Sequence, residues 1–297
     1  MPQPATVFTL GHSPDPDDAF MFYAMAENKI DLRGYRFDHI LQDIQTLNER
    51  ATRGELHISA VSIHALAYVL DKYALLPSGA SMGDGYGPLL VTLPKESGEN
   101  APAAAGSDHA SIRRWLAGRT IAVPGRMTSA FLALRLFLED TECDFHVVPF
   151  DRIFDAVRHG NADAGLLIHE GQLTYAAEGF SAVVDLGVWW KAATGLPLPL
   201  GGNVVRKDID RPVRRELAQI LADSIDYGLQ HRADAVAHSM PLARGLDVPL
   251  ADKFIGMYVN DFTRDYGATG RRAVHTFLSA ASEAGLIPAP VDLEFVD

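Results

Sequence analysis

Four short stretches of this 297-residue sequence carry side chains whose type and spacing could do chemistry. In His12-Ser13-Pro14-Asp15-Pro16-Asp17-Asp18-Ala19-Phe20, two prolines hold a turn extended and Ser13 offers a hydroxyl to a cleft. Asp17 or Asp18 is expected to cap the helix that follows and to complement its dipole. In Ser59-Ala60-Val61-Ser62-Ile63-His64, small residues bring backbone N–H groups and the Ser62 hydroxyl to a helix start. That pattern suits a carboxylate, and it is equally what a plain Ser62 N-cap looks like; His64 reads as structural. In Val123-Pro124-Gly125-Arg126-Met127-Thr128-Ser129-Ala130-Phe131, a strand stops at Pro-Gly and the chain presents Thr128 and Ser129 at a helix start, with Arg126 close by. This mirrors the Ser62 element and is the second anion-binding candidate, an ordinary capped helix being the bland alternative. Last, the apolar run Ala164-Gly165-Leu166-Leu167-Ile168 ends in His169-Glu170, placing an imidazole, the usual proton acceptor near neutral pH, at a strand end. A lone histidine is more often structural, so chemistry alone leaves a catalytic and a structural His169 both open.

These stretches need elements to position them, and the hydrophobic periodicity supplies them. Strands are predicted at Val7–Gly11, Tyr35–Leu41, Leu56–Val61 and Tyr73–Pro77, alternating with helices at about 17–27, after Asp43, and after Ser62 with Ile63, Leu66, Ala67 and Leu70 inward. A glycine-rich turn, Gly79 to Gly87, leads into the apolar run Pro88–Leu93, and Glu96–Ser107 reads as a surface loop. The alternation then restarts: strands at Thr120–Pro124, Phe145–Val148, Ala164–His169 and Ala182–Leu186, helices at Thr128–Glu139 and after Asp151. From Asp210 to about Gly285 the pattern is helical. Such alternation means an α/β fold with parallel sheets covered by helices on both faces. The expectation is two lobes with a ligand cleft between them. A discontinuous larger lobe spans 1–92 and 205–297, and an inserted smaller lobe spans 93–204. The crossings at Pro88–Leu93 and Pro199–Val205, flanked by glycines, would serve as a hinge. Ligands in open sheets sit beyond the carboxyl ends of strands, which is where the four stretches fall.

The bulk properties exclude several classes. With 26 Lys and Arg against 38 Asp and Glu, the net charge of −12 disfavours nucleic acid and stable association with anionic membranes, though not a small anion bound by local dipoles. No run approaches the roughly 20 apolar residues of a membrane span. Met1 to Leu10 has neither a basic nor a long apolar segment, so a cytoplasmic location is expected. The 11 histidines show no metal-ligand spacing, so no metal is expected. The single cysteine, Cys143, lies among acids that raise a thiol pKa and reads as structural.

Taken together, the motifs are recognisable. Ser13-Pro14-x-Pro16-x-Asp18-x-Phe20, Ser78-Gly79-Ala80-Ser81-Met82-Gly83-x-Gly85-x-Gly87-Pro88-Leu89, Val123-Pro124-Gly125-Arg126-x-Thr128, Ala164 to Glu170, Val184-Asp185-Leu186-Gly187-x-Trp189-Trp190 and Thr194 to Gly201 resemble the 1,4-dihydroxy-6-naphthoate synthase family of the futalosine route to menaquinone. The resemblance covers nearly the whole chain. It implies a type II periplasmic-binding-protein-like fold, shared with the sibling chorismate dehydratase. It also implies a carbon–carbon lyase that cleaves cyclic dehypoxanthine futalosine, a small anionic aromatic substrate, to dihydroxynaphthoate and a sugar-derived fragment, without a metal or organic cofactor. The family's general base falls on His169, and its substrate-contacting segments fall on Ala60, Val61 and Ser62 and on Thr128, Ser129 and Ala130. Family members carry Cys and Asn where this chain has Asp15 and Asp17, and a polar residue where it has Ala60. Glu170, Tyr175 and Asp185 are candidate helpers. A chorismate dehydratase, a passive small-anion-binding protein and a cytoplasmic sensor are the alternatives.

Overall fold

A computed structural model describes residues 6–94, 102, 108–288 and 292–297. The surface loop expected at Glu96–Ser107 lies outside the described residues, apart from residue 102. The first half builds β1 (Val7–His12), α1 (Pro16–Ala26), β2 (Arg36–Leu41), α2 (Ile44–Thr52), β3 (Ile58–Ser62), the single turn α3 (Ile63–Leu66), β4 (Tyr73–Leu75), β5 (Ser81–Gly83) and β6 (Leu89–Thr92). The middle adds α4 (His109–Leu116), β7 (Thr120–Val123), α5 (Ser129–Leu138), β8 (Asp144–Val147), α6 (Ile153–Arg158), β9 (Ala164–Leu167), α7 (Gly171–Thr174), β10 (Ser181–Asp185), α8 (Leu186–Thr194) and β11 (Leu198–Arg206). The rest is helical: α9 (Arg211–Gln230), α10 (Arg232–Ser239), α11 (Val248–Tyr258), α12 (Asp261–Arg264) and α13 (Gly267–Glu283).

The strands form two sheets, β2-β1-β3-β11-β4 with β5 on β11, and β10-β6-β9-β7-β8. Neither is wholly parallel. β1 runs parallel to β2 and β3, and β7 parallel to β8 and β9. The exceptions are the strands that cross between sheets: β6 is antiparallel to β9 and β10, and β11 is antiparallel to β3, β4 and β5. A chain leaving one sheet and returning must enter its new sheet from the crossing side, which reverses it against neighbours built by right-handed β-α-β units. The pairings place Leu89–Thr92 in the second sheet and all of Leu198–Arg206 in the first. At the crossing, the backbones of Gly87 and Gly187 meet, and a Cβ on Gly187 would overlap the Tyr86 carbonyl.

The central strands are apolar because both faces are covered. β3, β7 and β9 are buried almost throughout, and Phe20, Met21, Phe22 and Ile225 fill the space between α1 and the helical tail. α9, α10 and α11 all pack on α1. Gly228 permits the closest approach, since a Cβ there would sit 3.1 Å from the Phe20 ring, and the Ser224 hydroxyl donates to the Met21 carbonyl at 2.7 Å. Among the described residues, no helix is long and apolar enough to cross a membrane.

Several local expectations change in three dimensions. Asp17 and Asp18 do not cap α1: Asp15 is the N-cap, without a side-chain bond, and the Asp18 carboxylate instead accepts the Ser13 N–H at 2.6 Å. The helix after Ser62 is one turn, not two, and Ser62 caps nothing. Asp151 sits within a short 3-10 turn, Phe150–Arg152, ahead of α6 rather than capping it. By contrast Asp43 accepts the Thr46 N–H and Thr128 accepts the Phe131 N–H, each as an N-cap. Cys143 donates to the Leu116 carbonyl, and burial, with the Asp144 charge second, pushes its thiol up to about 11.

Candidate active site between the two sheets

Between the sheets lies a cavity of about 780 Å³, counting the part of its mouth open to solvent. Ser13, Asp15, Asp17 and Asp18 line it from the first loop, Ala60, Val61 and Ser62 from the end of β3, and Thr128, Ser129 and Ala130 from the start of α5. Ile168 and Gln172 flank the end of β9, Leu200 to Asn203 contribute the return strand, and Phe254 and Tyr258 reach in from α11.

At one end the lobes are stitched together around small polar residues. The Asn48 amide donates to the Ser62 hydroxyl at 2.9 Å and to the Met127 carbonyl at 3.2 Å, while its oxygen accepts the Ser62 N–H at 2.8 Å. The Ser62 N–H is therefore spent internally, and only its hydroxyl proton remains to meet a ligand, which corrects the expected backbone anion site at this element. Gln45 accepts the Met127 N–H, and the Ser129 hydroxyl accepts the His64 N–H at 3.1 Å and donates to the Leu200 carbonyl at 2.5 Å. His64 Nδ1 faces the Thr128 carbonyl at 3.2 Å; burial lowers this imidazole to about 4, so it is neutral, as a structural residue would be. The Thr128 hydroxyl proton is also spent, donated to the Gly125 carbonyl at 3.0 Å while the oxygen caps α5. What α5 offers a ligand is its own first turn. The N–H groups of Ser129 and Ala130 have no carbonyl one turn behind them inside the helix, and both residues line the cavity.

The opposite wall is acidic and amide-lined. Burial, then the charge of Asp15, pushes the Asp17 carboxyl up to about 7. Burial, then Asp17 and Asp15, holds Asp18 well above the usual carboxylate range. Two carboxyls so close cannot both ionise cheaply, so the pair retains a proton near neutral pH. Tyr258, buried beside them, donates its hydroxyl to Gln172 Oε1 at 2.7 Å.

Arg244 ties the rim of this wall across the lobes. Its guanidinium donates to Asp15 Oδ1 at 2.6 Å, to Glu170 Oε2 at 3.1 Å and to the Pro14 carbonyl at 2.9 Å, and it lies 4.5 Å from the centre of the Phe150 ring. Burial opposes ionisation of Glu170, but the contact with His169 and the charge of Arg244 outweigh it and hold the carboxyl below its ordinary value.

His169 lies just behind the cavity surface. β9 ends at Leu167, so the residue falls in the turn before α7. Its Nε2–H donates to the Phe150 carbonyl at 2.9 Å, its Nδ1 accepts the Gly171 N–H at 3.1 Å, and Glu170 Oε2 is 3.6 Å from Nδ1. Its neighbours Ile168 and Gln172 line the cavity and the ring does not, contrary to the expectation of an imidazole facing the cleft. Arg126 is exposed and also stands outside the lining. Of the candidate helpers, Asp185 caps α8 by accepting the Gly187 and Val188 N–H groups and is raised by burial to about 6, and Tyr175 is half-buried away from the cavity. Asp17 was read from sequence as a helix cap, and Gln172, Asn203 and Tyr258 carry no local signal at all. They reach the cavity only because α7, β11 and α11 converge on it.

Two mixed α/β lobes joined by crossing strands around a central cleft define a periplasmic-binding-protein-like protein. A Candida albicans gene product described as exhibiting the generic periplasmic binding protein fold superposes with a TM-score of 0.69 over 96% of this chain and 92% of its own, at 13% identity. A protein of Archaeoglobus fulgidus is far nearer, with a TM-score of 0.85 and 40% identity over 95% of this chain and 98% of its own. A family model described as menaquinone biosynthesis matches residues 8–283. The 1,4-dihydroxy-6-naphthoate synthase of Streptomyces coelicolor is 36% identical, covering 96% of both chains. The enzyme of the same name from Thermus thermophilus is 36% identical over 95% of this chain and 96% of its own. The chain belongs to this menaquinone-biosynthesis family.

Proposed function

We propose that this chain acts as a 1,4-dihydroxy-6-naphthoate synthase, cleaving cyclic dehypoxanthine futalosine to dihydroxynaphthoate and a sugar-derived fragment in the cytoplasm. The activity is that of a carbon–carbon lyase in menaquinone biosynthesis. The observation that carries this reading is near-full-length similarity to two enzymes of that name, together with a cavity lined by residues of both lobes. The first-turn N–H groups of Ser129 and Ala130 and the Ser62 hydroxyl take the substrate carboxylate; the apolar Ile168, Leu200 and Phe254 surfaces take its aromatic part. Ser13, Ala60 and Val61 shape the same wall. No cofactor, nucleic acid or membrane partner enters this reading.

The proton that starts cleavage goes to His169 in this proposal. Its Nε2–H is anchored on Phe150, which fixes the tautomer with a lone pair on Nδ1, and Glu170 lies beside Nδ1 to stabilise the imidazolium that forms. Proton transfer then requires the substrate to displace the Gly171 N–H from Nδ1. A second acceptor is favoured by one observation: Asp17 lines the cavity itself, with a carboxyl raised to about 7, near the value best suited to proton transfer at neutral pH.

The test is product analysis of the purified protein with cyclic dehypoxanthine futalosine and, separately, chorismate. Dihydroxynaphthoate from the first and no consumption of the second is expected. Consumption of chorismate would reassign the chain to the dehydratase, and recovery of both compounds intact would make it a binding protein or sensor. His169→Asn is expected to lower turnover by roughly 10²–10⁴ with ligand affinity kept, the usual span for acid–base catalysis. A loss of that size in Asp17→Asn, with His169→Asn within a few-fold of wild type, transfers the role to Asp17.

A further inference from the structure

The cavity wall contains a buried amide that the protein leaves half unused. Gln172 is 6% exposed and lines the cavity. Its oxygen accepts the Tyr258 hydroxyl at 2.7 Å, which fixes the amide plane, whereas its Nε2 has no partner among the described residues. A buried donor left without an acceptor costs about as much as a broken hydrogen bond, so the fold maintains this one at its own expense. The same wall presents carboxyls that need donors. Asp17 lines the cavity, and burial first, then the charge of Asp17, makes the Tyr258 phenol harder to ionise. Asp18 gives one oxygen to the Ser13 N–H and also lines the cavity.

The chemistry of a matching ligand group follows by elimination. A carboxylate would accept from Gln172 but add a further negative charge beside Asp17 and Asp18, which already share a proton because both cannot ionise cheaply. An ammonium would pair with the carboxyls but give Gln172 nothing. An apolar group would leave all of them unsatisfied. A hydroxyl accepts from Nε2 and donates to a carboxyl, and adjacent hydroxyls do both at once. We propose that Gln172 and Asp17 form a subsite for vicinal hydroxyls, which grips the sugar-derived part of the substrate and, with α5 holding the carboxylate at the other end, sets the direction in which the molecule lies. This rests on the lyase reading for the identity of the ligand and adds to it the residues that read the sugar-derived end.

The experiment compares a ligand that has that end with one that lacks it. Dissociation constants for cyclic dehypoxanthine futalosine and for 1,4-dihydroxy-6-naphthoate are measured by titration at early times or with turnover blocked by His169→Asn, alongside KM and kcat for the intact enzyme. Gln172→Met, nearly the same size without the amide, is expected to weaken substrate binding about tenfold or more while naphthoate affinity stays within about twofold. Gln172→Glu keeps the acceptor for Tyr258 and replaces the free donor by an acceptor, so it guards against a folding defect in the first variant, and it should weaken substrate binding at least as much. Substrate affinity unchanged in both variants overturns the proposal, as does an equal loss for substrate and naphthoate. Wild-type protein that binds the substrate tenfold tighter than naphthoate but never cleaves it would overturn the lyase reading and leave this subsite standing.

Discussion

Replacing Arg244 by methionine removes the guanidinium that joins the first loop to Glu170. Methionine retains the apolar stem, and because Arg244 has a left-handed backbone (φ 46°), glycine would confound the loss of its contacts with relief of strain. The Glu170 side chain is only 9% exposed, against 28% for Arg244 and 23% for Asp15. Removing one partner of a fully buried ion pair costs roughly 3–5 kcal/mol. Here water reaches the arginine end and screens it, so the expected cost is about 1–3 kcal/mol. At roughly 2–4 °C per kcal/mol for large single chains, that is a fall in Tm of about 2–12 °C. The pH dependence has a definite sign. The folded-state pKa of Glu170 lies below its ordinary value of 4.5, so the stability this group contributes is present above 4.5 and is lost as pH falls through the folded value. Scanning calorimetry should therefore show the full gap between wild type and Arg244→Met at pH 7.5 and a gap that closes as the pH is taken down below 4.5. The substrate KM should rise as well, because the contact holds the lobes together. A variant as stable as wild type at pH 7.5, or a gap of equal size at both pH values, would refute the reasoning. A cycle with Glu170→Gln isolates the coupling between the two side chains.

Two further outcomes follow from the same interior. Asn48 is fully buried and bonds both Ser62 and, across the cleft, the Met127 carbonyl; Asn48→Ala should cost on the order of 3 kcal/mol, seen as a lower denaturant midpoint, and small-angle scattering should show a more open molecule. His64 has its pKa lowered from 6.5 to about 4 by burial, so the stability it supports as a neutral ring is intact above 6.5 and is lost as pH falls towards 4. His64→Gln should flatten the acid limb of the stability curve by on the order of 2–3 kcal/mol between pH 6.5 and 4, and an unchanged limb would show that the ring is not what fails there.

Much of this protein was legible in one dimension because the relevant signals are local. Hydrophobic runs marked β1, β3, β7 and β9, and the caps Asp43 and Thr128 were readable because an N-cap bonds a neighbour three residues on. The loops at the strand ends, with Ser13, Ser62, Thr128, Ser129 and Ala130, were readable as cavity lining because open sheets place ligands there. What the chain could not disclose depends on partners distant in sequence. The Ser62 N–H goes to Asn48, and Asp17 is a cavity carboxyl rather than a cap because Asp15 takes the N-cap position and the opposing lobe buries the loop. Both sheets are mixed because the connections between lobes turn β6 and β11 against their neighbours. The side chain of His169 turned from the cleft to the Phe150 carbonyl, since a backbone acceptor lay 2.9 Å away, and Arg244, Gln172 and Tyr258 became part of the site only when folding brought residues 74 to 230 positions apart into contact. Periodicity reports which face of an element is buried; it carries no record of what the other lobe presents to that face, and the polar half of this cavity is made of those encounters.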